Sequence, residues 1–257
     1  MTAQRTPLPK ALSKEALPNP CRACAVREMS VCSALSDAEL NRLDSIAAKS
    51  KFQAGETIFF EGDSAEYLFN VTSGVVKVYK LLADGRRQIT GFLFSGDFLG
   101  LALRNTFTYS AEALDAVAVC RFPRKPFERL LDEFPALEKR LLRSASNELA
   151  AAQDQMLLLG RKTARERLAT FLLGMSERAI RRGESASNLS LPMGRADIGD
   201  YLGLTIETVS RSFTGLRKDG LIGLPSIHDV IILKPASMRD VAGLEPEDRL
   251  AAEAPGF

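Results

Sequence analysis

Hydrophobic and polar positions follow a strand-like pattern in the first half of the chain. From about residue 52 to residue 122, short runs rich in β-branched and aromatic residues are separated by turn residues, and Asp84-Gly85 between two such runs indicates a hairpin. Many short strands at near-regular spacing predict a jelly-roll β-barrel. The runs assigned to strands are 57–60, 67–72, 75–81, 88–93 and 110–122.

Segments of a different pattern precede and follow these strands. We place the whole domain, the cysteine segment with the barrel, at residues 21–125. Residues 1–20 combine several prolines with polar side chains and are predicted to form a flexible arm. Ser36, followed three residues later by Glu39, indicates a capping box at the start of a helix. Residues 236–257 are predicted to form a polar, frayed tail.

A helical period returns at Phe127, and residues 126–160 are predicted to form a dimerisation helix. Its apolar residues recur at alternating intervals of three and four, which is the seam of a coiled coil. A helix packed only on its own domain usually has a wider stripe, and Leu141, Leu157 and Leu158 do widen this one. We therefore expect the helix to contact both a partner subunit and its own barrel. The seam consists of Leu142, Ala145, Leu149, Ala152, Met156 and Leu159.

Residues 161–235 contain two short helical patterns separated by a tight turn. The first helix ends at Gly203, and Thr205 is placed to cap the second, which is the spacing of a helix-turn-helix unit. Two short apolar runs, 221–222 and 230–233, are predicted to form a β-wing. The sequence therefore predicts a C-terminal winged helix-turn-helix, and an α+β protein as a whole.

The second helix of such a unit enters the major groove of double-stranded DNA. Arg211 has the donors to bind guanine, Glu207 accepts from cytosine, and Ser210 contacts a base or a phosphate. The alternative is a solvated face of a structural helix pair, but the wing and the seam favour DNA binding. The residues predicted to contact phosphates are Arg195, Thr205, Arg217 and Lys218.

Composition narrows the class of protein further. With 257 residues, of which 46% are hydrophobic and 26% charged, the chain is typical of a soluble globular protein of one or two domains. No apolar run approaches the ~18 residues needed to span a bilayer, and the N-terminus is not a secretory signal. We therefore expect a cytoplasmic protein with no membrane partner. The net charge of +2 neither requires nor excludes nucleic acid.

The four cysteines are the candidate ligands of a metal or cluster. Cys21, Cys24 and Cys32 have the spacing C-x2-C-x7-C, and Cys120 lies far downstream. Four thiolates suit zinc or an iron–sulfur cluster. Two disulfides and unrelated buried thiols are the alternatives, although disulfides are disfavoured in the cytoplasm. The chain has 1 histidine, His228, which excludes a histidine-rich metal site.

Two motifs resemble those of the Crp/Fnr superfamily, named after the cAMP receptor protein and the fumarate and nitrate reduction regulator. Gly96-Asp97-Phe98-Leu99-Gly100 is similar to its barrel motif, and residues 197–211, with the form Glu-x-x-Ser-Arg, are similar to its recognition unit. The resemblance covers about residues 21–235. It implies a homodimeric transcription regulator that binds inverted repeats resembling TTGAT-N4-ATCAA, with RNA polymerase as a further partner.

The four cysteines resemble those of the oxygen-sensing branch of this superfamily. The resemblance implies that Cys21, Cys24, Cys32 and Cys120 hold a [4Fe–4S] cluster, with structural zinc as the alternative, and that the dimer is active without oxygen. Seven residues rather than five separate Cys24 from Cys32, which lengthens a loop without removing a ligand. A further alternative is a small-molecule effector in the barrel, with the cysteines incidental.

The chain departs from the superfamily pattern at two places. Leu101 and Tyr109 stand where cAMP-binding members have residues that serve the ribose and the cyclic phosphate, so a cyclic nucleotide is not expected. Ala152 stands in the seam where the best-known oxygen sensor has an acidic residue, so this dimer is expected to be harder to dissociate. Barrel enzymes usually hold a metal through histidines, and none occurs between residues 52 and 122, so no enzyme is expected.

Overall fold

The computed structural model describes residues 20–101 and 105–244. The predicted arm, apart from Pro20, and the end of the predicted tail lie outside this described part. No helix within it is long and apolar enough to cross a membrane.

The N-terminal domain is two antiparallel four-stranded sheets, with strand orders β1-β8-β3-β6 and β2-β7-β4-β5. This is the predicted jelly roll. Gly85, with φ 86°, turns the β4–β5 hairpin at the expected Asp-Gly pair. The strands are β1 Ala48–Phe52, β2 Thr57–Phe59, β3 Tyr67–Ser73, β4 Val76–Leu81, β5 Arg87–Leu93, β6 Phe98–Leu99, β7 Ser110–Ala113 and β8 Val117–Pro123.

The barrel differs from the sequence prediction in three details, one of which is the unpredicted two-residue strand β6. The run 110–122 forms two strands, because Asp115 turns out of the sheet and its carboxylate accepts a hydrogen bond of 2.8 Å from the backbone N–H of Val75. β1 was not predicted at all. Its polar, lysine-containing sequence lacks an apolar run, since it is an edge strand paired only with β8 among the described strands.

Three α-helices lie in the described residues of this half of the chain. α1 (Asp37–Ile46) begins at the predicted capping box of Ser36 and Glu39. The predicted helix over 126–160 is wrong at its start. It is two helices, α2 (Arg124–Glu133) and α3 (Pro135–Arg161), because Pro135 disfavours a helical conformation at Phe134 and occupies the first turn of the new helix.

The C-terminal domain is the predicted winged helix-turn-helix. Its three-stranded sheet has the order β10-β11-β9, so a strand ahead of the two helices joins the two predicted wing strands. Val209, Phe213 and Leu216 face the core as expected. The elements are α4 Ala164–Arg181, β9 Asn188–Ser190, α5 Arg195–Leu202, α6 Ile206–Lys218, β10 Ile222–Gly223, β11 Asp229–Ile232 and α7 Pro235–Ala242.

Helix α7 corrects the prediction of a frayed tail from residue 236. Met238 and Ala242 are completely buried, and α7 packs against α4. The Lys162 Nζ donates to the carbonyl of Ala242 at 2.8 Å, which satisfies a terminal carbonyl of the helix. The tail prediction failed because a helix this short needs only a few apolar residues to dock. Its sequence therefore shows no clear helical pattern.

Replacing Met238 with alanine is expected to lower the free energy of unfolding by about 2–5 kcal/mol, the usual effect of truncating a buried side chain. Chemical denaturation measures it. Asp240→Ala, on the exposed side of the same helix, is the control and should change stability by less than about 0.5 kcal/mol. Equal effects of the two substitutions would contradict the docking of α7.

Candidate nucleic-acid interface and thiol site

The turn between α5 and α6 depends on two glycines. Gly203 ends α5 in the left-handed region with φ 63°. A Cβ on Gly199 would lie 2.7 Å from the carbonyl oxygen of Leu204, so only glycine lets the two helices approach this closely. The sequence motif therefore fixes the angle at which α6 leaves the domain.

The outward face of α6 is formed by Glu207, Ser210 and Arg211, all of which are exposed. Thr205 caps the helix by accepting a hydrogen bond from the N–H of Thr208 at 3.2 Å. The guanidinium of Arg211 donates to the hydroxyl of Thr208 at 3.3 Å. The predicted base-contacting residues thus lie together at the N-terminal half of α6, the part that reaches base edges in such units.

The carboxylate of Glu207 can accept hydrogen bonds. Its own backbone N–H, and then the side chain of Thr205 and the charge of Arg211, hold the pKa of this carboxyl below its usual value. Glu207 is therefore ionised at neutral pH and presents oxygens that match the amino group of cytosine.

The predicted phosphate contacts fall into two groups. Arg217 and Lys218 are exposed at the end of α6, where Lys218 lines a shallow groove with Ser210 and Arg211. Arg195 is different. Its guanidinium lies over the ring of Phe213, 3.3 Å from the ring centroid, and burial lowers its pKa. Arg195 thus packs against the core side of α6, and its phosphate contact stays a prediction.

The thiol site comprises Cys21, Cys24, Cys32 and Cys120. Cys21, Cys32 and Cys120 pack against one apolar cluster formed by the N-terminal segment, the barrel and α2. Cys120 lies on β8 opposite Lys49 of β1 and Asn70 of β3. The structure therefore brings the downstream cysteine to the side of the barrel that carries the N-terminal three.

Three of the thiols, those of Cys21, Cys32 and Cys120, have raised pKa values. Burial raises the pKa of Cys21 to about 12, helped by the carboxyl of Asp44 and by Cys32 and Cys120. Burial and the charge of Cys24 also raise the pKa values of Cys32 and Cys120. A cation bound among these thiols would lower their pKa values, because positive charge favours thiolates.

The donor set fits a sulfur-ligated group in its chemistry. Asn70, 2% exposed and directly across from Cys120, has a buried Oδ1 without a hydrogen-bond partner, and its Nδ2 makes one long hydrogen bond of 3.4 Å. The Nδ2 of this amide, rather than its oxygen, is the group able to donate to a neighbouring sulfur ligand. Among residues 20–101 and 105–244, however, no three His, Cys, Asp or Glu side chains already have a metal-holding arrangement, so ligation requires the thiols to draw together.

The seam of α3 is open to solvent in the single chain. Leu142, Leu149 and Met156 are 68%, 61% and 72% exposed, and Ala152 is exposed between them. Ala145 is half-buried. Leu159, the last predicted seam residue, is half-buried and packs against its own C-terminal domain, close to Gly203.

The cysteine segment also contacts the helix that carries the seam. The 3₁₀ turn Val31–Ala34 packs against α3, and Arg140 of α3 donates to the carbonyl of Met29 at 3.4 Å. As predicted, Leu141 packs against the cluster beside the cysteines. The cysteine segment thus contacts α3 at Arg140 and Leu141, immediately before the first predicted seam residue, Leu142.

Sequence reasoning missed the partners of the cysteines. The thiol of Cys21 donates to Asp44 Oδ1 at 3.3 Å, and the charge of Lys49 acts on Cys120. Neither residue, nor Asn70, belongs to a recognisable motif. Strand pairing brings Lys49 and Asn70 to Cys120, and helix α1 brings Asp44 to Cys21, and one sequence reveals neither arrangement.

Comparison with known proteins agrees with both halves of the molecule. Residues 49–134 match the cyclic nucleotide-binding domain family, and residues 166–241 match the Crp-like helix-turn-helix domain family. The chain is 47% identical to the nitrogen fixation regulation protein FixK of Bradyrhizobium diazoefficiens, over 86% of this chain and 93% of that protein. It is 37% identical to the transcriptional activator protein FnrL of Cereibacter sphaeroides, over 87% and 92%.

The solved structure of FixK2 from Bradyrhizobium japonicum superimposes with a TM-score of 0.73 at 38% identity, covering 78% of this chain and 100% of that one. Fold, recognition unit and relatives therefore agree that the chain belongs to the Crp/Fnr family of DNA-binding transcription regulators and is not an enzyme.

Proposed function

We propose that the protein is an oxygen-responsive transcription activator that binds an inverted repeat resembling TTGAT-N4-ATCAA as a homodimer. The observation that carries the DNA part is the exposed face of α6, with an ionised Glu207 beside Arg211. A dimer through the seam would give two such helices, and their separation would match half-sites one helical turn apart. Relatives named as transcriptional activators support activation, with RNA polymerase as the further partner.

The thiol site is the proposed sensor. Cys21, Cys24, Cys32 and Cys120 would hold a [4Fe–4S] cluster, which supplies sensitivity to oxygen when bound. The support is the shared neighbourhood of the thiols and the buried amide of Asn70 opposite Cys120. Lys49 and Asn70 would offset negative charge on the sulfurs and donate to them.

The same contacts connect the thiol site to DNA binding. With the N-terminal cysteines held against Cys120, the segment beside them stays packed on α3, where Arg140 donates to Met29. Release of that segment would remove packing from the base of the dimer helix. Loss of the dimer sharply reduces specific DNA binding, because two half-sites are then no longer engaged together.

The barrel is proposed to work without a cyclic nucleotide. Aromatic side chains fill its interior: the rings of Phe59 and Phe107 are stacked with centroids 3.7 Å apart. The hydroxyl of the half-buried Tyr109 accepts a hydrogen bond of 3.1 Å from the N–H of Gly100, at the barrel motif. A cyclic phosphate needs a cation at this place, and Tyr109 supplies none.

Anaerobic purification tests the nature of the site. The expected product is brown, contains about four iron and four sulfide per chain, as a [4Fe–4S] cluster does, and bleaches in air. A colourless protein with one zinc per chain would establish the structural-zinc alternative. Protein with neither metal would contradict the sensor proposal altogether.

Replacing Cys120 with serine is expected to abolish stable iron and sulfide binding, because a hydroxyl at this position is a poor ligand for soft metals. Iron and sulfide content after anaerobic purification measures the effect. Ala118→Ser adds the same hydroxyl two residues earlier on β8 and should leave the content unchanged. Full iron content in Cys120→Ser would remove Cys120 from the ligand set.

A further inference from the structure

A charge network joins the barrel to the first helix of the recognition unit. Lys77 of β4 contacts Glu112 at 2.8 Å and Asp197 of α5 at 3.2 Å. Arg87 of β5 contacts the same Asp197 at 3.0 Å and Asp200, one turn further along α5, at 2.8 Å. The β4–β5 hairpin therefore holds α5 at two points on successive turns.

The burial of Lys77 and Asp197 distinguishes this network from ordinary surface pairs. The side chain of Lys77 is 7% exposed, whereas Lys80 on the same strand, paired with Glu61, is 51% exposed. Exposed ion pairs contribute little to stability. Removing one member of a buried network, however, leaves the charges of the others without a partner. Asp197 also accepts from the N–H of Gly194 at the start of α5, so its position and that of the helix are coupled.

An apolar contact lies beside the charges. Phe92 of β5 packs on Tyr201 of α5, with ring centroids 5.3 Å apart. The carbonyl of Tyr201 accepts from Gln88 of the barrel at 3.3 Å and from Gln155 of the dimer helix at 2.7 Å. Both ends of α5 are thus attached to the rest of the molecule, one of them to the helix that carries the seam.

The consequence concerns α6, which α5 supports. Gly199 lies directly against Leu204, so a shift of α5 carries the recognition helix with it. A dimer binds an inverted repeat well only when its two recognition helices are spaced to match the half-sites. We propose that Lys77 and Arg87 are positioning residues for DNA recognition, which set the half-site spacing that the dimer accepts by anchoring Asp197 and Asp200.

This inference rests on the DNA site proposed above and does not depend on which metal occupies the thiol site. The test uses anaerobically purified full-length protein with the double substitution Lys77→Met and Arg87→Gln. Fluorescence anisotropy measures its affinity for TTGAT-N4-ATCAA and for the same repeat with N3 or N5. The matched control is Lys80→Met with Arg86→Gln, which removes two exposed pairs of the same hairpin.

Wild type and control should prefer the N4 spacing, and the Lys77/Arg87 variant should lose at least about fivefold of that preference, the lower end of typical coupling between sites. Exchanging charges, Arg87→Asp with Asp200→Arg, should restore part of the preference that Arg87→Asp alone removes. A general loss of stability would not relax spacing in this selective way, and unfolding curves identify it.

An unchanged preference in the folded variant, or an equal loss in the control, would overturn the inference. So would tighter binding of the N4 repeat by the variant, since the network would then restrain the recognition unit from DNA. If wild type showed no preference among the three spacings, the proposed DNA site would fail instead.

Discussion

Replacing Arg211 with alanine is expected to weaken binding to the inverted repeat by about 1–3 kcal/mol per half-site, which is roughly 5- to 150-fold. The guanidinium is exposed on the outward face of α6 and donates a long hydrogen bond to the hydroxyl of Thr208. It is therefore available for the two acceptors of a guanine. Because a base contact carries sequence information, the variant should also discriminate less against repeats in which that guanine is replaced.

Arg217→Ala is the matched control for this prediction. Arg217 is an exposed arginine on the same helix, at the end where phosphate contacts are expected. Its loss should weaken binding to all sequences about equally and reduce the dependence of affinity on salt. If Arg211→Ala kept the full preference for the guanine, the assignment of Arg211 to a base would be wrong.

Replacing Leu149 with aspartate is expected to convert the dimer into monomers at micromolar concentration. Leu149 is 61% exposed in the single chain and lies at the middle of the seam. Losing two buried leucines costs about 1.5–3 kcal/mol each, so the dissociation constant should rise roughly 10²- to 10⁴-fold. Facing carboxylates would add repulsion. Sedimentation velocity under anaerobic conditions measures the change.

Asn147→Asp supplies the comparison, because it adds the same charge to an exposed position of α3 outside the seam. It should remain dimeric and bind DNA with wild-type affinity. A dimeric Leu149→Asp protein would show that the seam of Leu142, Leu149 and Met156 does not form the subunit interface.

Local signals in the sequence predicted most of the fold. Capping boxes and the Asp-Gly hairpin depend on neighbours in the chain, so they identified α1 and the β4–β5 hairpin, and the seam stays a prediction. The same reasoning located the outward face of α6, since a helix that buries Val209, Phe213 and Leu216 has one free side.

The contacts that the sequence did not reveal are those between residues far apart in the chain. The opposition of Asn70 and Cys120, and the network between Lys77 and Asp197, join residues that are 50 or more positions apart and belong to no motif. Helix α7 was missed for a related reason, because its burial is decided by the surface of α4 that receives it. The contacts that couple the parts of the molecule therefore had to come from the structure.

The most direct test of the account measures DNA affinity and the absorption spectrum on one sample, first without oxygen and then after air. We predict a brown protein that binds TTGAT-N4-ATCAA tightly, and a bleached protein whose specific binding falls by at least about tenfold, within the usual gap between specific and non-specific binding. Equal affinity before and after bleaching, or a colourless protein that binds equally well in both states, would contradict it.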